Sequence, residues 1–78
     1  MKYYTGLDVS NIDTSICIVD YDGNVVKEAK VLSDPDSIHR YLKKTGLEFE
    51  KIGMEAGDFR KFKQKIGLLF HLEIQFFA

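Results

Sequence analysis

The segment Tyr3-Tyr4-Thr5-Gly6-Leu7-Asp8-Val9-Ser10 decides how this sequence folds. Most of its residues favour a strand on a largely buried sheet surface, yet an acidic residue, Asp8, lies near the end of this strand. A charged group at that point is either solvated at the rim of the sheet or used for chemistry, because burying an unpaired carboxylate is costly. We therefore take Asp8 as the first candidate functional residue.

A hairpin is expected directly after this segment. Asn11-Ile12-Asp13 is turn-like, and residues 14–19 form a second strand that is apolar on both faces and so is expected to be covered on both sides. Cys17 lies in this strand, and because it is the only cysteine we expect a small buried hydrophobe rather than a disulfide or zinc ligand.

A second hairpin leads to the edge of the predicted sheet. Asp22-Gly23 between two β-rich runs predicts a tight turn, so the third strand, residues 25–32, returns antiparallel to the second. This strand carries Lys27, Glu28 and Lys30, and charges of this kind are typical of an edge strand.

A helix interrupts the strands after residue 33. Asp34 can cap it, Pro35 suits its first position and Asp36 its first turn, while Gly46 marks its end. Apolar residues recur at helical spacing, and this stripe is expected to face the sheet. It comprises Ile38, Tyr41 and Leu42.

The fourth strand, residues 51–57, also ends in an acid followed by small residues. Its acid is Glu55. Because a helix-containing connection permits a parallel crossover, this strand is expected beside the first and parallel to it. Asp8 and Glu55 would then lie at neighbouring strand ends, where open α/β sheets bind ligands.

The last third of the chain predicts a second helix and a fifth strand. The helix is capped by Asp58, and the alternating residues 70–76 form the strand. This helix has a basic face. Such a face is usually a solvated surface, and the alternative interpretation is that it contacts phosphate groups. It carries Arg60, Lys61, Lys63 and Lys65. The predicted fold is α/β, with a mixed sheet of order 3-2-1-4-5 and both helices packed on it.

Length and charge limit the functions to consider. The 78 residues allow one small domain, and a formal net charge of −1 provides no overall attraction for nucleic acid. No apolar run approaches the roughly 18 residues that a bilayer span needs, and the first residues lack the pattern of a signal peptide. We expect a cytoplasmic protein without membrane contact.

Three motifs together carry a family resemblance: Gly6-Leu7-Asp8-Val9-Ser10, residues 14–20, and Gly53-Met54-Glu55-Ala56-Gly57. At this spacing they resemble the N-terminal domain of the DEDD-type, RuvC-like insertion-sequence transposases related to Piv DNA invertases. The resemblance covers most of residues 3–57. It implies the N-terminal half of a ribonuclease-H-like fold, so that residues 1–78 form a single truncated domain.

The resemblance also implies a function. Asp8 and Glu55 would be the first two of four catalytic acids that hold Mg²⁺ or Mn²⁺. The full-length parent would cleave and transfer DNA strands in transposition, and whether it also uses a guide RNA stays open. Two carboxylates are too few to fix two cations, so we expect weak metal binding and no activity in the isolated chain. Loss of the second half predicts homo-oligomers or aggregation through the C-terminal strand.

Other functions stay open from the same residues. An actin-like or sugar-kinase-like ATPase fragment would use Gly6 to Ser10 as a phosphate loop and bind ATP with magnesium. A third alternative is an inactive interaction module. Asp8 could also cap a turn by accepting from the Ser10 amide, Glu55 could be a solvated strand end, and Ser10 a turn hydroxyl.

Overall fold

A computed structural model of the chain describes the backbone of residues 2–55 and 74–76 and the side chains of residues 2–54. The expected second helix and its basic face, Arg60, Lys61, Lys63 and Lys65, lie outside the described residues. So do the fourth strand's last two residues, 56 and 57, and most of the predicted segment 70–76.

Five strands and one helix follow one another along the chain: β1 (Lys2–Val9), β2 (Asp13–Val19), β3 (Val25–Leu32), α1 (Pro35–Lys44), β4 (Glu48–Glu55) and β5 (Ile74–Phe76). The strands form one sheet of order β3-β2-β1-β4-β5. β2 is antiparallel to β1 and β3, whereas β4 is parallel to β1 and to the three residues of β5. The predicted α/β class and the order of the first four strands are confirmed.

The helix forms where its local signals predict it. The side chain of Asp34 accepts a hydrogen bond from the Ser37 amide at 3.2 Å, and Pro35 occupies the first turn, where it sacrifices no helical hydrogen bond. Beyond the C-terminal end, Gly46 adopts a φ of +73°, a conformation that glycine reaches at little cost.

The hydrophobic core lies between α1 and one face of the sheet. Side chains of alternating parity in β1, β2 and β4 point to this face, and all members of the core are at most 6 % exposed. The core comprises Leu7, Val9, Ile16, Ile18, Ile38, Leu42, Ile52 and Met54. The opposite face, which we call the open face, carries Gly6, Asp8, Ser15 and Cys17, and Asp8 is exposed there.

Two predictions about the strands are wrong in detail. β4 begins at Glu48 rather than Lys51, because Phe49 packs against the core and an irregularity in the β1–β4 ladder accommodates Glu50. β2 is covered on only one face within the described part of the chain. Cys17 is partly exposed there, since its register partner in β1 is Gly6, which has no side chain to cover it.

Candidate functional site

Asp8 and Glu55 lie side by side at the carboxyl ends of two parallel strands. They are the last register partners of the β1–β4 ladder. This is the backbone arrangement that a shared ligand site at the strand ends requires. The side chain of Glu55 lies outside the described residues, so its role as a ligand stays a prediction.

The carboxylate of Asp8 is exposed on the open face and makes no hydrogen bond or ion pair with the residues that the structure describes. The turn-cap interpretation of Asp8 is not supported, because the Ser10 amide donates to the main-chain oxygen of Asp13 at 3.0 Å. The Ser10 hydroxyl donates to the same oxygen at 2.7 Å and therefore acts as a turn hydroxyl. Among residues 2–54, whose side chains are described, no group competes with a ligand for the Asp8 carboxylate.

The loop of the β1–β2 hairpin, residues 10–12, is held in place by the residue after β3. The Ser33 amide donates to the Ile12 oxygen at 2.8 Å, and the Ser33 hydroxyl donates to the Ser10 oxygen. The same hydroxyl lies 2.8 Å from Oγ1 of Thr14, which is fully buried. Sequence reasoning missed Ser33, because this contact joins residues that are far apart in the chain.

Two main-chain donors of this loop are unused. Asn11 and Ile12 are exposed, and their N–H groups make no hydrogen bond with the described part of the protein. Consecutive N–H groups in a turn form concavities that favour anions. A carboxylate and two main-chain N–H groups without a partner in the described structure therefore occur within a few residues of each other at one end of β1.

A groove of about 640 Å³ runs over the open face beside Asp8. Gly6 and Gly53 are register partners in β1 and β4 and form part of its floor, with Cys17 and Ser15 next to them. Its size lies in the range of roughly 300–1,000 Å³ that is usual for small-molecule sites.

Packing does not explain the glycine in β1. Among the described residues other than its chain neighbours, a Cβ atom added to Gly6 would come no closer than 4.0 Å, at the Cys17 oxygen. Glycine weakens a strand, and it often marks a place where a ligand approaches the backbone closely. We therefore include Gly6 in the candidate site, together with Gly53 and Cys17, for which sequence reasoning had given no site role.

Metal ligands alone do not define this site. Within the described residues, no three side chains of His, Cys, Asp or Glu come together as a metal cluster. Also within that part of the chain, no helix is long and apolar enough to cross a membrane.

No family model matches the chain, and no curated protein matches it. Solved structures do match. One is a ROK family glucokinase from Streptomyces griseus in complex with glucose and AMPPNP, which is 18 % identical to this chain with a TM-score of 0.65. The match covers 95 % of this chain and 32 % of the glucokinase chain. The Aquifex aeolicus Ppx/GppA phosphatase, type II variant, is 9 % identical with a TM-score of 0.54 over 99 % of this chain and 36 % of its own. The chain thus spans about a third of these structures.

These matches correct the function expected from the family resemblance. The structural neighbours are a kinase and phosphatases rather than transposases, and the described residues offer no evidence of DNA binding or a magnesium centre. The expected function in DNA transposition and recombination, with an insertion-sequence origin, is therefore wrong. The residue-level resemblance itself stays a prediction. At these identities the comparisons establish the fold alone, an α/β fold that the described part of this chain shares with about a third of the kinase and of the phosphatase.

Proposed function

We propose that this chain is the phosphate-binding part of an actin-like or sugar-kinase-like ATPase, and that it corresponds to the N-terminal half of such a ribonuclease-H-like domain. The observation that carries the proposal is the exposed Asp8 carboxylate, which has no partner in the described part of the chain and lies beside a hairpin loop with unused amides. The glucokinase match supports it, because that structure holds AMPPNP, an analogue of ATP.

The residues present fit a nucleotide that brings its own cation. Mg²⁺ is usually bound by one or two carboxylates together with phosphate oxygens and water, so Asp8 can contribute without a complete protein cage. Mn²⁺ could take the same place. Such an ion neutralises charge on the phosphates, and the amides of Asn11 and Ile12 would bind phosphate oxygens directly. Glu55, as the register partner of Asp8, is the second carboxylate that we assign to this site.

We propose that the complete ATPase catalyses phosphoryl transfer. That reaction requires more residues than the ones named above. The chain covers 32 % of the glucokinase and 36 % of the phosphatase. Groups that bind the acceptor and complete the nucleotide site would come from the remainder of such a fold. We therefore expect the 78-residue chain to bind nucleotide weakly and to turn it over too slowly to measure.

Asp8→Asn should weaken binding of AMPPNP with Mg²⁺ by about tenfold, since a hydrogen bond or contact to a charged group contributes roughly 1.5–3 kcal/mol. Isothermal titration calorimetry measures the affinity, and NMR shifts should begin at residues 7–12. Asp22→Asn is the matched control, because Asp22 is exposed in the turn after β2 and the charge change is the same. Equal weakening by both variants, or no saturable binding by the unchanged chain, would overturn the proposal.

Cys17 gives a second readout of the same site. It is the only cysteine in the sequence and it lines the groove beside Asp8. Saturating AMPPNP with Mg²⁺ should slow its alkylation severalfold, because the ligand would cover the thiol. The reaction is followed by mass spectrometry, and Asp8→Asn should need about tenfold more nucleotide for the same protection. Labelling at an unchanged rate in the saturated complex would show that the ligand does not enter the groove.

A further inference from the structure

We propose that the outer edge of β3 pairs with the β3 strand of a second copy of this chain, antiparallel and about a two-fold axis at Ala29. β3 has eight residues and is the terminal strand of the sheet. Its outer main-chain groups have no strand partner within the described residues, and such an edge is a template for pairing. Glu28 and Lys30 of this strand also line the groove beside Asp8, but the pairing is argued from the strand edge and not from nucleotide binding.

The hydrogen bonding of β3 fixes which residues can pair outwards. Ser33 donates its amide to the Ile12 oxygen, so it bonds towards β2. Because bonding residues alternate along an antiparallel ladder, Val31, Ala29 and Lys27 also bond towards β2. The residues between them present their main-chain groups to the outer edge. These are Glu28, Lys30 and Leu32, whereas Val26 lies at an irregularity of the β2–β3 ladder, where the alternation is interrupted.

The Leu32 carbonyl agrees with this assignment. It accepts from the Asp34 amide at 2.8 Å and is therefore not engaged with β2. Its outward carbonyl is thus already satisfied. The two central residues, Glu28 and Lys30, retain both main-chain groups for a partner strand within the described structure.

Three antiparallel registers place the two-fold axis at Glu28, Ala29 or Lys30. Charge then selects one of them. Two of them place Glu28 opposite Glu28 of the second copy, or Lys30 opposite Lys30, and like charges directly opposite each other are destabilising. The third places Glu28 opposite Lys30 of the second copy, and the symmetry repeats the pair. Both side chains are exposed and make no ion pair with the described residues.

The same register covers apolar surface at both ends of the pairing. Val26 is 43 % exposed and Leu32 is 63 % exposed. In the selected register Leu32 of each copy lies at one end of the pairing, next to the segment at Val26 of the other copy, where the β2–β3 ladder is irregular. Lys27 falls opposite Val31 and meets no like charge there. Neither Lys27 nor Lys30 therefore meets a like charge across the pairing, although lysines on an edge strand normally oppose such association.

Charge reversal tests the pairing in solution. Glu28→Lys and Lys30→Glu should each weaken the dimer by about tenfold, because each replaces two attractive cross-strand pairs by two repulsive ones. The double variant restores opposite charges with the partners exchanged, so its dimer should recover. Sedimentation equilibrium over a concentration series gives the dissociation constants, and circular dichroism checks that the variants remain folded.

Cysteine cross-linking tests the register. In a Cys17→Ser background, Ala29→Cys should form a disulfide with its own copy, since the Cα atoms of a pair without hydrogen bonds are about 4.5 Å apart, within disulfide range. Glu28→Cys alone should not cross-link, but its mixture with Lys30→Cys should. A chain that stays monomeric at millimolar concentration, or a dimer that neither charge reversal weakens, would overturn the proposal. Self-cross-linking of Glu28→Cys in place of Ala29→Cys would overturn the register.

Discussion

Leu42→Ala should lower the free energy of unfolding by about 3 kcal/mol, because truncating a buried leucine loses apolar contact and leaves a cavity. Leu42 is completely buried and lies on the side of α1 that faces the sheet. A domain of this size has a total stability of roughly 5–15 kcal/mol, so the loss is a large fraction of it. Urea unfolding followed by circular dichroism measures the change.

Leu32→Ala is the matched control for this substitution. Leu32 is 63 % exposed at the end of β3, and its truncation should change the stability of the monomer by no more than about 0.5 kcal/mol. The comparison is made at low protein concentration, because Leu32 also takes part in the proposed β3 pairing. Equal destabilisation by the two variants would mean that α1 does not cover the sheet as described.

The turns and the helix could be predicted from the sequence because their signals are local. Asp22-Gly23 gave the β2–β3 turn, where Gly23 has a φ of +86° that favours glycine. The cap at Asp34 and the apolar stripe of Ile38 and Leu42 gave the helix and its buried side. Each of these features depends on residues within a few positions of one another.

The start of β4 and the groove could not be predicted in this way. Glu48 and Glu50 interrupt the apolar pattern, so the sequence does not indicate that β4 begins there. The strand begins at Glu48 because Lys2 and Tyr3 of β1 are in register with Glu48 and Phe49. Similarly, Gly6 and Gly53 form part of the groove floor only because the parallel register aligns them. A register depends on the pairing of distant strands, and the residues of one strand do not specify it.

The site at the end of β1 could be located from the sequence, but its chemistry could not be assigned. A carboxylate after a buried strand and beside a hairpin serves a nuclease metal site and a nucleotide site equally well. Both sites require an oxygen ligand near a cation that contacts phosphate. The resemblance in the residues around Asp8 favoured the first, whereas we propose the second from the exposed Asp8 carboxylate and the loop amides.

Ser33→Ala should destabilise the chain by about 2 kcal/mol, because a buried polar group left without its hydrogen bond costs roughly 1–3 kcal/mol. The Ser33 hydroxyl lies 2.8 Å from Oγ1 of Thr14, which is fully buried, and it also donates to the Ser10 oxygen. Removing it deprives both groups of their partner. Ser15→Ala is the control for stability, since Ser15 is exposed and its hydroxyl makes no hydrogen bond with the described residues.

The same substitution should also weaken AMPPNP binding severalfold. Ser33 holds the hairpin loop at Ser10 through its side chain, while its amide still donates to the Ile12 oxygen in the variant. A loosened loop must be ordered when the phosphates bind, and that ordering lowers the affinity. Calorimetry at a temperature where the variant is fully folded separates this effect from unfolding. Unchanged affinity in a destabilised Ser33→Ala variant would mean that the loop amides do not contact the nucleotide, and Asp8 alone would then have to account for binding.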